Sequence, residues 1–221
     1  MFWNSLPPKK DFVPPRSGFP LFWERLSTEI GELIKLNAIF LLFSIPVVTL
    51  PAAITGMSRV TYLMMEAEHR FTFDECKKTI KETFWSGLAI GLLMTAMLTA
   101  GSAVAYFYFY TAVHKTILVI PGIISLFVVS VALMMSFYAF PMLGMTNLNV
   151  KAVLANSFRL VFLCPQKSIG ALVITAGIIC LVWCFFPFTI LTIIVIFSFL
   201  NFVSAFFVHE PIKHYVLGMT N

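Results

Sequence analysis

Long apolar runs separated by short polar segments set the pattern of this chain. Residues 84–110, 116–143 and 168–208 are almost wholly apolar. Each is at or above the roughly 20 residues a helix needs to cross a bilayer. The last block is too long for one crossing, and Pro187 divides it into spans at 168–186 and 188–208. The 116–143 run is interrupted by Pro121-Gly122 near its start and Pro141 near its end. An earlier run, 33–65, contains Pro46 and Pro51 on either side of VVTL. A helix loses backbone hydrogen bonds at each proline, so this run reads as a kinked hairpin of two short helices. Residues 37–50 reach only about 21 Å as a helix. The pattern therefore fits six short-to-normal spans, or four spans plus a re-entrant hairpin covered by the other helices.

The polar segments carry their own periodicities. Residues 1–20 contain five prolines with Phe2 and Trp3, which predicts an irregular strap near the headgroups. Over 21–36, Phe22, Leu26, Ile30, Leu33 and Ile34 fall on one helical face and Glu24, Arg25, Glu29 and Glu32 mostly on the other. That spacing predicts an interfacial helix leading into the hairpin. Residues 66–83 form a second surface helix. Thr72 and Glu75 have capping-box spacing, with Phe73, Cys76, Ile80 and Phe84 on one side and Lys77, Lys78 and Lys81 on the other. Residues 146–167 form a connector, and a short tail follows 208. The expected fold is all-α: a single polytopic helical bundle over 1–221 with about six membrane segments.

Composition supports a membrane rather than a soluble class. Hydrophobic residues make up 59% of the chain and charged residues 11%, against about 25% charged in a typical soluble domain. The net charge of +5 does not indicate nucleic acid, because the basic residues flank apolar runs and form no basic-aromatic platform. They report orientation. If 33–54 crossed once, the N-terminal basic residues and those at 59–81 would face opposite sides. If 33–65 enters and returns, every Lys and Arg except Lys115 falls on one side. Both termini are then cytoplasmic. The outer face is reduced to two short turns, with no room for an extracellular binding domain. No cleavable leader is expected.

Candidate chemistry is sparse. Gly87-x-x-x-Gly91, continued by Thr95, Thr99 and Ala103, is a small-residue ridge for close helix packing, internal or between copies. Arg59 lies inside an apolar segment, where a charge must snorkel toward the headgroups near Glu66 or find a partner within the bundle. Asn37 and Asn201 could cap or bridge helices. Cys180 and Cys184, one turn apart, read as buried apolar thiols; two ligands are too few for a structural zinc site. His209, Glu210 and His214 have HExxxH spacing with Pro211 breaking the helix, which is not a zinc-protease arrangement. No span has a central Asp or Glu of the kind that ion-coupled transport uses. No enzyme, cofactor or metal is expected.

The stretch from Glu32 to Trp85 resembles the signature region of the YesL-like membrane proteins (domain of unknown function 624). Leu36-Asn37, Pro46-Val-Val-Thr49, Pro51, Tyr62 and the 73–84 helix hold the matching positions. Leu50 stands where the family usually has Gly, and Glu68-His69-Arg70 where it has Arg-Gly-Glu. The resemblance implies a bacterial plasma-membrane protein linked to carbohydrate uptake, in a family without an established activity. Three readings follow: an accessory subunit that binds carbohydrate ABC transporter permeases, a small transporter or lipid-handling protein, and a homo-oligomeric scaffold packed through Gly87 and Gly91.

Overall fold

The computed structural model describes residues 18–66, 72–112, 116–184 and 195–218. Most of the 1–20 strap, Arg70, the turn at His114-Lys115 and the division at Pro187 lie outside the described residues. Among those residues there are seven α-helices and no strand: α1 (Phe19–Ser44), α2 (Leu50–Glu66), α3 (Thr72–Ala112), α4 (Val119–Met145), α5 (Val150–Leu163), α6 (Pro165–Cys184) and α7 (Ile196–Tyr215). α3, the stretch Thr116–Met145 and α6 are long and apolar enough to cross a membrane. Their outer faces carry large apolar side chains in open exposure, among them Leu92, Ile124, Phe127 and Val173. A continuous apolar surface of this kind suits lipid and not water.

Helices run further than the sequence pattern suggests. The amphipathic segment 21–36 and the first hairpin arm are one continuous helix, α1, whose start at Phe19 puts Pro20 in the first turn. Proline is tolerated there because its missing N–H has no intrahelical acceptor. The buried stripe of α1 is Leu33, Leu36, Asn37 and Phe40; Ile30 and Ile34, expected on the same face, are exposed. The chain turns between Ser44 and Leu50 through a short 3₁₀ turn at Val47–Thr49. The Thr49 hydroxyl donates to the carbonyls of Phe43 and Pro46, which ties the turn to the end of α1. The surface helix expected at 66–83 and the span expected at 84–110 are likewise one helix, α3. Nothing between Lys81 and Gly87 disfavours helix, so the polar-to-apolar change alters the surroundings and not the backbone. Pro141 and Pro211 both lie inside helices; the expected break at Pro211 does not occur.

At 41 residues, α3 is about 60 Å long, twice the hydrocarbon thickness. It is the spine of the molecule. Its first half packs on α2 and its second half on α4. Gly101 lies under Val129 and Phe109 under Gly122, so α3 and α4 run antiparallel. The packed face of α3 passes through Gly87, Gly91, Met94 and Ala105, while Thr95, Thr99 and Ala103 point outward. A strict four-residue repeat rotates about 40° per step on a 3.6-residue helix, and so leaves the contact face within three steps.

The glycine ridge packs within the molecule. A Cβ built on Gly87 would lie 3.3 Å from Ala52 Cα, and one on Gly91 would lie 2.4 Å from Pro51 Cβ. These glycines seat α3 on the first turns of α2, which removes the basis for pairing two copies through them. Gly56 makes the reciprocal approach, with the Cys76 carbonyl and the Ile80 side chain at 3.0 Å from its added Cβ. A proline ring is rigid and joined to its own backbone, so it cannot swing clear of a new Cβ. Gly91→Ala is therefore expected to destabilise the fold by about 2 kcal/mol through overpacking. Gly177→Ala, with open space around the added atom, should gain about 0.5–1 kcal/mol of helix propensity. Unfolding in detergent micelles, followed by circular dichroism, compares the two.

Candidate functional site

The helices of the first hairpin and α7 are joined by polar groups in apolar surroundings. Asn37 is fully buried on α1, and its Oδ1 accepts a hydrogen bond from the backbone N–H of Ser198 at 3.0 Å. Ser198 is the third residue of α7, so Asn37 caps that helix from another one, using an amide acceptor where local sequence has no cap. On α7, Asn201 Nδ2 donates to Ser58 Oγ at 3.0 Å, and Asn201 Oδ1 accepts from Thr61 Oγ1 at 2.8 Å. The two asparagines thus hold α7 to α1 and α2 at one level of the bundle. Both bridging options for Asn37 and Asn201 are used.

Arg59 is neither snorkelled toward Glu66 nor free within the bundle. Its Nε lies 3.1 Å from Glu75 Oε2 on α3, and its Nη1 donates to the Gly144 carbonyl at the end of α4. Both side chains of the pair are about a quarter exposed. Gly144 lets α4 approach α2 closely here, since a Cβ there would meet Arg59 Cβ at 3.0 Å and the Thr55 carbonyl at 3.3 Å. Arg59 therefore ties α2, α3 and α4 together. The capping box expected at Thr72 and Glu75 is not formed. Glu75 is engaged by Arg59, and the Thr72 hydroxyl donates to Glu32 on α1 at 2.6 Å. Competition from charged partners on other helices, invisible in local spacing, decides both outcomes.

Lys77, Lys78 and Lys81 form an exposed face at the start of α3. Phe73, expected on the buried side with Cys76 and Ile80, is 45% exposed and lies under the Lys77 ammonium at 5.8 Å. At the same end, Glu66 Oε1 is 3.0 Å from Lys213 Nζ and 3.5 Å from His209 Nε2, and Lys167 pairs with Glu210 at 2.7 Å. His209 and Glu210 thus belong to helix-joining ion pairs. Cys180 and Cys184 are exposed on the outer face of α6, not buried. One face of a helix cannot be told from the other by the spacing of two residues.

A feature that sequence spacing did not single out lies behind this polar seam. A cavity of about 420 Å³ opens between α1, α2, α4, α6 and α7. Phe40, Leu50, Phe137 and Phe140 line it together with the smaller polar residues Ser44, Ser58, Ser136, Thr175, Asn201 and Ser204, and its surface is overwhelmingly apolar. No charged side chain among the described residues lines it. The Thr175 hydroxyl is buried without a hydrogen-bond partner, a group that normally costs about 1–3 kcal/mol when left so. Leu41, Leu50 and Phe197 are the exposed apolar members of the wall and mark its mouth beside the hairpin turn. Its signal was scattered over five helices, each small hydroxyl ambiguous by itself.

Described residues that are helical throughout their regular structure, with three apolar helices of membrane-crossing length among them and a polar seam inside an apolar bundle, make this a membrane-associated protein. Residues 33–103 match the family model described as "Protein of unknown function, DUF624", in agreement with the YesL-like resemblance. No curated protein and no solved structure matches the chain. Asn37, Pro46, Pro51, Arg59, Lys77, Lys78, Lys81, Gly87 and Gly91 all fall within the matched segment, whereas the cavity walls on α4, α6 and α7 lie beyond it.

Arg59→Ala should cost about 2–3 kcal/mol, because it strands a partly buried carboxylate and a carbonyl; Arg59→Lys should recover only part of this, since one ammonium cannot reproduce the guanidinium's fork. Unfolding in micelles at matched detergent concentration measures both. Burial holds the His209 imidazole below its ordinary range, against the opposing pull of Glu66. The unfolded chain then binds the proton more readily. Stability from this group is present above about pH 6.5, the unperturbed value, and is lost as pH falls below it. Melting temperature should drop between pH 7 and pH 5, and His209→Gln should flatten that dependence.

Proposed function

We propose that this protein binds a small molecule within the membrane, in the cavity between the hairpin and the rest of the bundle. The cavity, with no charged side chain among its described lining residues, is the observation that carries the reading. Its size is within the usual 300–1,000 Å³ range of ligand sites, and an apolar wall with a few convergent polar groups is their usual composition. The mouth at Leu41, Leu50 and Phe197 suits access from lipid. The absence of a charged side chain among the described residues of the cavity wall is consistent with the lack of ion-coupling residues in the spans. Native mass spectrometry of protein taken directly from membranes should detect a small-molecule adduct near one per chain, lost in Leu41→Trp, which plugs the mouth. Equal adducts in both proteins would argue against the cavity as the site.

The same reading includes a topology with cytoplasmic termini and a re-entrant hairpin. Trp85 and the Tyr106/Tyr110 pair are strongly exposed on α3 and are separated by about 32–38 Å along the helix, the spacing of two interfacial aromatic belts. Pro51, at the start of α2, rests on Gly91, about 9 Å from Trp85 along α3. That depth is well short of the roughly 30 Å hydrocarbon core. Val48 at the hairpin turn is 59% exposed and would then face acyl chains. Val48→Cys in sealed vesicles should resist a membrane-impermeant maleimide from either side; labelling from the outside would mean that the hairpin crosses fully.

A second reading, an accessory subunit of a carbohydrate ABC importer in the bacterial plasma membrane, is favoured by the exposed Lys77, Lys78 and Lys81 face beside Phe73. On that reading, charge reversal of the three lysines would abolish crosslinks from α3 to a permease in native membranes.

A further inference from the structure

We infer that α5 seats an anionic phospholipid at the membrane surface, with the lipid phosphate on Arg159 and the acyl chains along Phe158 and Phe162. This surface lies on a different part of the bundle from the cavity and does not depend on it. Position comes first. At 14 residues, α5 is about 21 Å long, too short to cross a hydrocarbon core of about 30 Å. Its neighbours in the chain, Thr116–Met145 and α6, are long and apolar enough to cross. Residues 146–149 join α4 to α5, and Cys164 alone joins α5 to α6. Both ends of α5 are therefore tied to the ends of membrane-length helices, which holds it at the level of the headgroups.

The face it presents there suits lipid. Val153, Ser157, Leu160 and Val161 are buried against the bundle. Lys151, Ala155, Phe158, Arg159, Phe162 and Leu163 are exposed, and at 100° per residue they share about 140° of arc. Phe158, Phe162 and Leu163 are 49%, 54% and 55% exposed, and the two phenyl rings have their centroids 5.0 Å apart. The second half of the helix is thus apolar on its outer side as well as its inner side. Acyl chains cover such a surface and water does not.

Charge selects the headgroup. No Asp or Glu occurs between Glu82 and Glu210, so α4, α5 and α6 carry no carboxylate. Glu210 pairs with Lys167. Lys151 and Arg159 belong to no ion pair among the described residues. A guanidinium takes phosphate oxygens through parallel N–H donors, and Arg159 shares its face with both phenyl rings. Lys151, about two turns nearer the start of the helix, adds attraction for a net negative charge, which a zwitterionic headgroup lacks. A second copy docked face to face would set these cations against themselves.

The probe is dioctanoylphosphatidylglycerol, compared with the phosphatidylcholine of the same chains. Each is added to the whole protein in micelles, and bound lipid is read as adducts by native mass spectrometry. The anionic lipid should give a single adduct per chain at concentrations where the zwitterionic lipid gives little. Arg159→Gln should weaken that adduct about fivefold, the effect of one basic side chain near an anionic surface, with the melting temperature unchanged because the side chain is exposed. Arg159→Lys should restore part of the loss. Lys81→Gln, Leu41→Trp and millimolar inorganic phosphate should each leave the adduct in place. Equal adducts of the two lipids, or unchanged binding in Arg159→Gln, would overturn the headgroup assignment. An equal loss in Lys81→Gln would replace the site with bulk surface charge. Loss in Leu41→Trp would move the lipid to the cavity, and displacement by phosphate would make the free anion the ligand; either result would overturn a lipid seat on α5.

Discussion

The close approach of α2 to α3 is the contact on which the other features depend. Three glycines and a proline ring make it. Gly87 and Gly91 let the first turn of α2 sit against α3, and Gly56 lets the Cys76 and Ile80 turn of α3 sit against α2. In an apolar solvent there is no hydrophobic gain from joining two apolar helices, so association depends on dispersion contacts at short range and on polar links. Removing side chains at the contact brings the backbones within that range. The register this sets puts Arg59 opposite Glu75 and beneath the Gly144 carbonyl. It also places the hairpin turn at one depth along α3.

That depth leaves the upper half of α3 to pack on α4 and leaves a gap behind the hairpin. α7 would close the gap if it packed as tightly as α3 does. It is instead held by amide and hydroxyl contacts at Asn37, Ser58, Thr61 and Asn201. These fix the helix at one level, with aromatic contacts from Phe22 to Phe202 and Phe206 toward the basic end. The cavity is what remains between a glycine-packed half and a polar-linked half of the bundle.

Much of the fold class was legible in the chain. Apolar run length and low charge content are summed quantities, insensitive to which side chain meets which, so helices of crossing length could be read directly. The proline pair at 46 and 51 acts on the backbone locally, and the turn between α1 and α2 lies there. Other local readings met tertiary competition. Thr72 and Glu75 have the spacing of a capping box, yet Glu32 and Arg59 take both side chains. Phe73 belongs to the apolar face by period but lies exposed below Lys77, and Cys180 and Cys184 point outward. A period identifies a face without saying whether a neighbour covers it.

Sequence alone determined that this chain is helical, that its long runs suit a membrane, and that its basic residues gather beside particular segments, because hydropathy, length and proline chemistry act through local backbone and bulk solvent. Tertiary structure decided that the glycine ridge faces inward, that Arg59 joins three helices, and that an apolar-lined cavity opens beside the hairpin. Those outcomes depend on distances between residues far apart in the chain. Such distances are set only when the small residues of α2 and α3 have settled their register.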